Sequence, residues 1–577
     1  MRILKSGSLP VFLLGIGLVL ISACSSHRQA PEEKSTNATR PIAKTEMAPP
    51  GKAINKAQTR STNDPRSTAR AYENKAAVAD IYGYRRMQYP GALNREKYQH
   101  VDSNPVQRVA EHPVSTFSID VDTGSYANVR RLLEQGRLPP ADAVRVEEMV
   151  NYFDYHYPVP ADRRTPFRVT TEIAPTPWNP DTHLLRIGIK GYDIPKNRIP
   201  PANLVFLVDV SGSMLAPNKL ELLKTSLKLL TRQLKQRDRV SLVVYAGASG
   251  VVLEPTPGNQ RAKIIAALDR LRAGGSTNGE AGIKLAYDMA EQGFIRNGIN
   301  RVILATDGDF NVGVANVELL KSLIEEKRKT GISLTTLGFG TGNYNDQMME
   351  QLADTGNGNY AYIDNLNEAN KVLVQQMRST LFTIAKDVKV QIEFNPAIVS
   401  EYRLVGYENR KLRREDFNND KIDAGEIGAG HTVTALYEIT LTSQSTRIDP
   451  LRYGSNIQNK TGHSSELAFL RMRYKAPGGN KSRLIEWPLE RSDILPSIKR
   501  ASSDFRFAAA VAGFAQLLRG GKQTGNFSYE NVLGLATNSR GRDISGYRGE
   551  FVRLVHLAES LSVPQTNNRE QPLIQLR

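Results

Sequence analysis

Only one cysteine, Cys24, occurs in 577 residues, so no disulfide can brace this chain and its folded parts must be held by apolar cores. Histidine is scarce as well, with eight in all. Of these, His183 and His431 fall on expected strands and His556 on the polar side of an expected helix, where an imidazole is ordinarily structural. There is no G-x-S-x-G, and the stretch "RGGKQTG" lacks the first glycine of a phosphate loop. Nucleophilic hydrolases and nucleotide binders of those types therefore have no motif to rest on, and no small-molecule substrate is expected. Acidic residues are outnumbered, 59 against 76 Lys and Arg, for a formal net charge of +17. The basic residues are scattered, with no Arg-rich recognition helix and no basic–aromatic repeat, which argues against nucleic acid as a partner.

What is present begins at the N-terminus. "MRILKSGSLPVFLLGIGLVLISAC" sets Arg2 and Lys5 ahead of an apolar run from Leu9 to Ala23. That run is short for a membrane span and suits the core of a signal peptide. Its end, Ile21-Ser22-Ala23-Cys24, resembles the bacterial lipobox. The resemblance implies that residues 1–23 are a lipoprotein signal peptide and that Cys24 carries acyl chains of the palmitate type. Several chains, at about 0.8 kcal/mol per buried CH₂, anchor stably where one is marginal. Ser25 stands where Asp would favour the inner membrane, so the resemblance points to the outer membrane and a periplasm-facing body. Residues 24–104, rich in Ser, Thr, Asn, Ala, Pro and charge, read as a disordered tether.

Residues 105–200 carry helical patterns ("SYANVRRLLEQG", "DAVRVEEMVNYFDYHYP") and two strand patterns ("FRVTTEIAPTPW", "HLLRIGIKGYD"). From 201 to 378 wholly apolar strands alternate with amphipathic helices, which implies a doubly wound parallel α/β sheet covered on both faces. Residues 379–492 return to strands separated by turns, expected as an antiparallel β-sandwich that the strands at 168–190 join. The α/β domain is then inserted in that sandwich. Residues 493–577 read as helical, "FRFAAAVAGFAQLLRGG" stopping at a glycine pair.

The apolar run "LVFLVDVSGSM" ends in Asp209, Ser211 and Ser213. "RVILATDG" puts Asp307 just past another strand, and the glycine-rich "AGGSTNGEAG" carries Thr277. In a doubly wound sheet these positions gather beyond the carboxyl ends of the strands. Two carboxylates and three hydroxyls with no His or Cys form an oxygen-only donor set, suited to Mg²⁺ and also to Ca²⁺ or Mn²⁺. This pattern resembles the von Willebrand factor A domain and its metal-ion-dependent adhesion site. The D-x-S-x-S of that family is met by Asp209, Ser211 and Ser213, its threonine by Thr277, and its T-D-G by Thr306-Asp307-Gly308. The resemblance implies a bound divalent ion and a protein partner that donates a carboxylate to it. Over most of its length the chain also resembles bacterial YfbK-type proteins, in "STFSIDVDTGSYANVRR", "EEMVNYFDYHYP" and "NFSYENVLGLA".

Other readings are weaker. Asp120 in "SIDVDTG" resembles the nucleophile of haloacid-dehalogenase phosphatases, but Gly124 breaks the motif and no parallel core follows directly. Asp416, Asn418 and Asp420 match the opening of a calcium loop, with Lys421 at its sixth position and Ile427 at its twelfth. An isolated Ca²⁺ turn stays open there beside an exposed acidic one. A metal-dependent hydrolase and a purely structural envelope tether remain as alternative functions. The first has no general base in the motif, and the second leaves the donor set without a use. The chain is therefore read as non-enzymatic, lipid-anchored in the cell envelope, and joined to an acidic protein partner through metal. Replacing Cys24 by Ser is expected to block processing, leaving an uncleaved precursor or a soluble form. Membrane fractionation and gel mobility check this, and wild-type behaviour of the variant contradicts the anchor.

Overall fold

The computed structural model describes residues 95–119, 122–161, 164–195, 198–276, 279–308, 317–452 and 465–563. Its central sheet has six strands, in the order Tyr360–Ile363, Ile332–Phe339, Ile299–Thr306, Ala202–Asp209, Arg239–Tyr245, Ser249–Pro257. The first five run parallel. Every position of Ala202–Asp209 is buried, and the pleat explains the unbroken apolar run. Leu204, Phe206 and Val208 pack with Leu223 and Leu227 of helix Leu222–Thr231 and with Ile264 of helix Arg261–Asp269. Val205 and Leu207 go to the opposite core, with Ile283 and Ala286 of helix Gly279–Gln292 and Ile324 of helix Val317–Lys329. The doubly wound α/β fold is thus as expected, with one departure. Ser249–Pro257 is an antiparallel edge strand, and its Gly250, Pro255 and Pro257 hide the strand pattern while an edge tolerates them.

Two antiparallel sheets flank this domain. One runs Gln107–Arg108, Val399–Val405, Thr432–Leu441, His183–Gly191, Phe167–Pro175, and the other Lys411–Leu412, Val114–Ser118, Thr383–Phe394, Glu466–Lys475, Ser482–Glu490. Ile187, Ile189, Val433 and Ala435 of the first sheet share one apolar core with Val390, Ile392, Leu470 and Met472 of the second. The chain leaves the first sheet at Gly191 and re-enters the antiparallel pair at Thr383, so the α/β domain is an insertion. The folded body also takes in residues expected in the tether. Residues 95–104 belong to it rather than to a tether reaching 104: Asn104 Nδ2 donates to the carbonyls of Leu404 (3.0 Å) and Gly406 (2.7 Å). Cys24 and the rest of the expected signal peptide and tether lie outside the described residues. Among the described ones no helix is long and apolar enough to cross a membrane.

Helices Gly124–Glu134, Val146–Asn151, Ser503–Leu518, Tyr529–Thr537 and Tyr547–Ser562 build a further core. Ser503–Leu518 starts on the Ser502 hydroxyl, which accepts from Phe505 N–H at 3.1 Å, and ends before Gly520 and Gly521, both at positive φ. Within this core Arg130 is 1% exposed. Its guanidinium is forked onto Asp364 (Nε at 2.7 Å) and donates to Glu368 (2.9 Å), Glu550 (3.0 Å) and the Tyr152 hydroxyl (3.0 Å). Arg130→Met is expected to cost about 3–5 kcal/mol, since it leaves buried acids uncompensated. A lowered melting temperature checks this, and an unchanged one contradicts it.

Candidate metal centre

The central strand Ala202–Asp209 lies between Ile299–Thr306 and Arg239–Tyr245, and the chain leaves it toward one side and comes back on the other. In open α/β sheets such a reversal, beyond the strands' carboxyl ends, is where ligands bind. Asp209 closes its strand and Asp307 follows Thr306; both are 0% exposed. Asp209 Oδ1 accepts from Ser211 N–H at 2.9 Å. Its Oδ2 accepts from the hydroxyls of Thr306 (2.8 Å) and Tyr245 (3.2 Å). Burial pushes the Asp209 carboxyl above its ordinary range, the Ser211 and Thr306 hydrogen bonds oppose that, and the Asp307 charge adds to it. The Ser211 and Ser213 hydroxyls are 2.9 Å apart. Gly212 N–H donates to Gly275 O (3.0 Å) and Gly274 N–H to Val210 O (2.7 Å), so the glycine-rich loop is laced to the serine turn. Thr277 itself lies outside the described residues.

Four of the five expected donors, Asp209, Ser211, Ser213 and Asp307, are therefore gathered at one sheet edge, and the loop leading to the fifth is attached beside them. The donor chemistry fits a hard cation. Among the described residues, Asp209 is a fully buried carboxylate that accepts hydrogen bonds from a neutral N–H and neutral hydroxyls, next to a second buried carboxylate. A buried charge so placed is strongly disfavoured unless a cation joins it.

Some neighbours carry no sequence signal. Lys219, on the turn Pro217–Glu221, is 6% exposed, and its Nζ donates to Asp307 Oδ2 (2.8 Å) and Asn343 Oδ1 (3.1 Å). Asn343 Nδ2 donates to the same Asp307 oxygen at 3.3 Å. In the sequence Lys219 is simply the first residue of an amphipathic helical stretch, and Asn343 one residue of a polar loop. The loop holding Asn343 is paired in turn with the first described residues. Arg95 N–H donates to Gly342 O (2.8 Å), Lys97 N–H to Tyr344 O (2.9 Å), and Asp346 N–H to Lys97 O (3.1 Å). Glu96 accepts from Gly342 N–H (3.0 Å) and from Arg131.

The competing sites do not assemble. Asp416 caps its own turn through Arg413, Asn418 accepts from Arg473 (2.9 Å), and Asp420 accepts from Ser482 N–H (3.4 Å), so the three point to separate partners. Burial holds His183 below the usual imidazole range, and His556 sits beside Glu559 on the surface. Asp120 lies outside the described residues.

Comparison with known proteins gives matches along most of the chain. A von Willebrand factor type A domain model matches residues 203–376, and a model described as the C-terminal region of the uncharacterized protein YfbK matches residues 379–561. A von Willebrand factor model matches residues 92–186. Uncharacterized protein YfbK of Escherichia coli (strain K12) is 50% identical over 473 residues, 81% of either chain. Inter-alpha-trypsin inhibitor heavy chain H3 of Homo sapiens is 24% identical over 319 residues, covering 51% of this chain and 35% of that one. Among solved structures, a von Willebrand factor type A protein from Catenulispora acidiphila aligns at 15% identity and a TM-score of 0.39, covering 70% of this chain and 91% of its own.

The lysine beside Asp307 makes one glycine indispensable. Gly340 has φ +76°, and a Cβ there would lie 2.3 Å from Lys219 Cε. Gly340→Ala is expected to destabilise the protein by about 1–3 kcal/mol or displace Lys219 from Asp307. Thermal denaturation measures it, and a wild-type melting curve contradicts this packing.

Proposed function

Since the chain belongs to the YfbK-type family of von Willebrand factor A domain proteins, we propose that it is a metal-dependent interaction protein of the cell envelope. Asp209, Ser211, Ser213, Thr277 and Asp307 would hold one divalent ion, Mg²⁺ or in its place Mn²⁺ or Ca²⁺. The bound ion supplies a Lewis-acidic position for a carboxylate from an exposed acidic residue of a protein partner. Lipid at Cys24 would hold the body at the outer membrane, facing the periplasm.

The observation that carries this reading is the buried Asp209 carboxylate, whose hydrogen-bond donors among the described residues are neutral, beside Asp307. Oxygen donors at the ends of two adjacent parallel strands are where such a fold places a ligand. The site is read as binding rather than hydrolytic because, among the described residues, two ionisable side chains that touch its carboxylates are already engaged. Tyr245 donates to Asp209, and Lys219 donates to Asp307. Neither stands as a base for water.

The test is calorimetric titration of Mg²⁺ or Mn²⁺ into the chain beginning at Ser25, which keeps every described residue. Asp209→Ala and Asp307→Ala are each expected to weaken metal binding by at least ~10-fold, a change of about 1.4 kcal/mol. The double variant should be little worse than either, since both disable one site. The fold should survive in Asp209→Ala, which touches no apolar core residue, whereas Asp307→Ala also lowers stability by leaving the buried Lys219 ammonium without its carboxylate. Equal metal binding by wild type and Asp209→Ala rules the metal reading out.

A further inference from the structure

Lys219 is a strange residue to find at a cation site. Its ammonium is buried, 2.8 Å from one carboxylate oxygen of Asp307, where a positive charge repels any incoming metal ion. The surrounding residues nonetheless hold it firmly. The π-helical turn Pro217–Glu221 follows the serine turn directly and aims the side chain back at the strand ends. Its methylenes cross Gly340 so closely that a Cβ there would lie 2.3 Å from Cε and 2.4 Å from Cγ. Asn343 accepts from the ammonium and donates to Asp307, fixing the pair from the far side.

Resting on the metal reading above, we infer that Lys219 is the charge-setting residue of the site, trading metal affinity for affinity toward an anionic partner. The bookkeeping concerns three charged groups among the described residues: Lys219 contacts Asp307, and the Asp307 charge acts in turn on Asp209. Asp209 and Asp307 supply two negative charges, and Lys219 returns one positive. With Lys219 present, one divalent ion turns the cluster from a net −1 to a net +1. Without it, the same ion would only neutralise the two carboxylates. A net positive, largely desolvated cluster attracts a carboxylate far more than a neutral one does, because the low local dielectric leaves the excess charge poorly screened. The lysine thus makes the loaded site selective for a carboxylate over a neutral oxygen ligand such as an amide or hydroxyl. It also keeps the unloaded site from holding metal too strongly.

Two variants separate charge from hydrogen bonding. Lys219→Met removes the positive charge while filling the space over Gly340. Asn343→Ala removes a neutral donor from the same Asp307 oxygen. Mn²⁺ titration of the chain beginning at Ser25, at low ionic strength, is expected to show at least ~10-fold tighter binding for Lys219→Met. Asn343→Ala should show no tightening. The water-proton relaxation of bound Mn²⁺ then reports on acetate, used as a carboxylate probe. Acetate should displace bound water from the wild type at lower concentration than from Lys219→Met. If Lys219→Met folds poorly, Lys219→Gln gives the same charge change while keeping a donor to Asp307, and the rise in melting temperature with Mn²⁺ replaces the titration. Unchanged or weaker Mn²⁺ binding in the lysine variants, with wild type binding normally, overturns the role of Lys219 alone. Equal tightening in Asn343→Ala overturns it too, since charge is then not the cause. Absence of Mn²⁺ binding in wild type overturns the metal reading and the inference together.

Discussion

Arg130 is a full positive charge closed away from water at the meeting point of three parts of the chain. It stands on the helix Gly124–Glu134, its forked partner Asp364 and its second partner Glu368 belong to the α/β domain, and Glu550 belongs to the C-terminal helix. Tyr126 and Tyr152 stack at 3.7 Å beside it. None of these charges is tolerable without the others, because the desolvation of each exceeds what a single partner returns. The arrangement therefore fixes the docking of the inserted domain more sharply than apolar packing, which allows sliding. Arg145 and Arg410 repeat the device on the next element. Arg145 binds Asp346 and Arg410 binds Glu350, so helix Asp346–Thr355 is held by arginines from outside the domain.

That helix follows the loop carrying Asn343, which touches Asp307. The candidate site is accordingly not a free-standing feature of a β-sheet edge. It is continuous, through Asn343, Tyr344 and Asp346, with groups that secure the whole body. Residues 95–97 add a backbone pairing to the same loop. The first described residues thus lie against the loop that touches Asp307.

The parts of this architecture written in local patterns were readable in the sequence. Alternating apolar strands and amphipathic helices place the α/β domain, and Asp209 and Asp307 reveal themselves by following apolar strands directly. Ser249–Pro257 was hidden because an edge strand needs neither an apolar run nor freedom from proline. Residues 95–104 were hidden because they join through backbone hydrogen bonds, the Asn104 amide and the Glu96 carboxylate on Arg131 and Gly342, which leave no side-chain period. Lys219 was invisible for a different reason. A lysine at the start of an amphipathic helix is ordinarily solvated, and only the chain's return through Gly340 and Asn343 turns it inward. Arg130 likewise reads as one of two adjacent arginines on an amphipathic helix, and its partners are far along the chain.

The insertion itself bears on how the protein reaches this state. The flanking core joins residues remote in sequence, as in the hydrogen bond from the Tyr437 hydroxyl to Ser115 across 322 positions. Closing so long a loop in an unfolded chain loses entropy before any contact repays it. Yet the two ends of the inserted domain emerge together: a Cβ on Gly191 would lie 2.8 Å from Ile384 Cδ1. With the α/β domain folded, the outer strands lie side by side at its two ends, and the long loop has become a short one. The inserted domain acts as the splint on which the surrounding sheets knit.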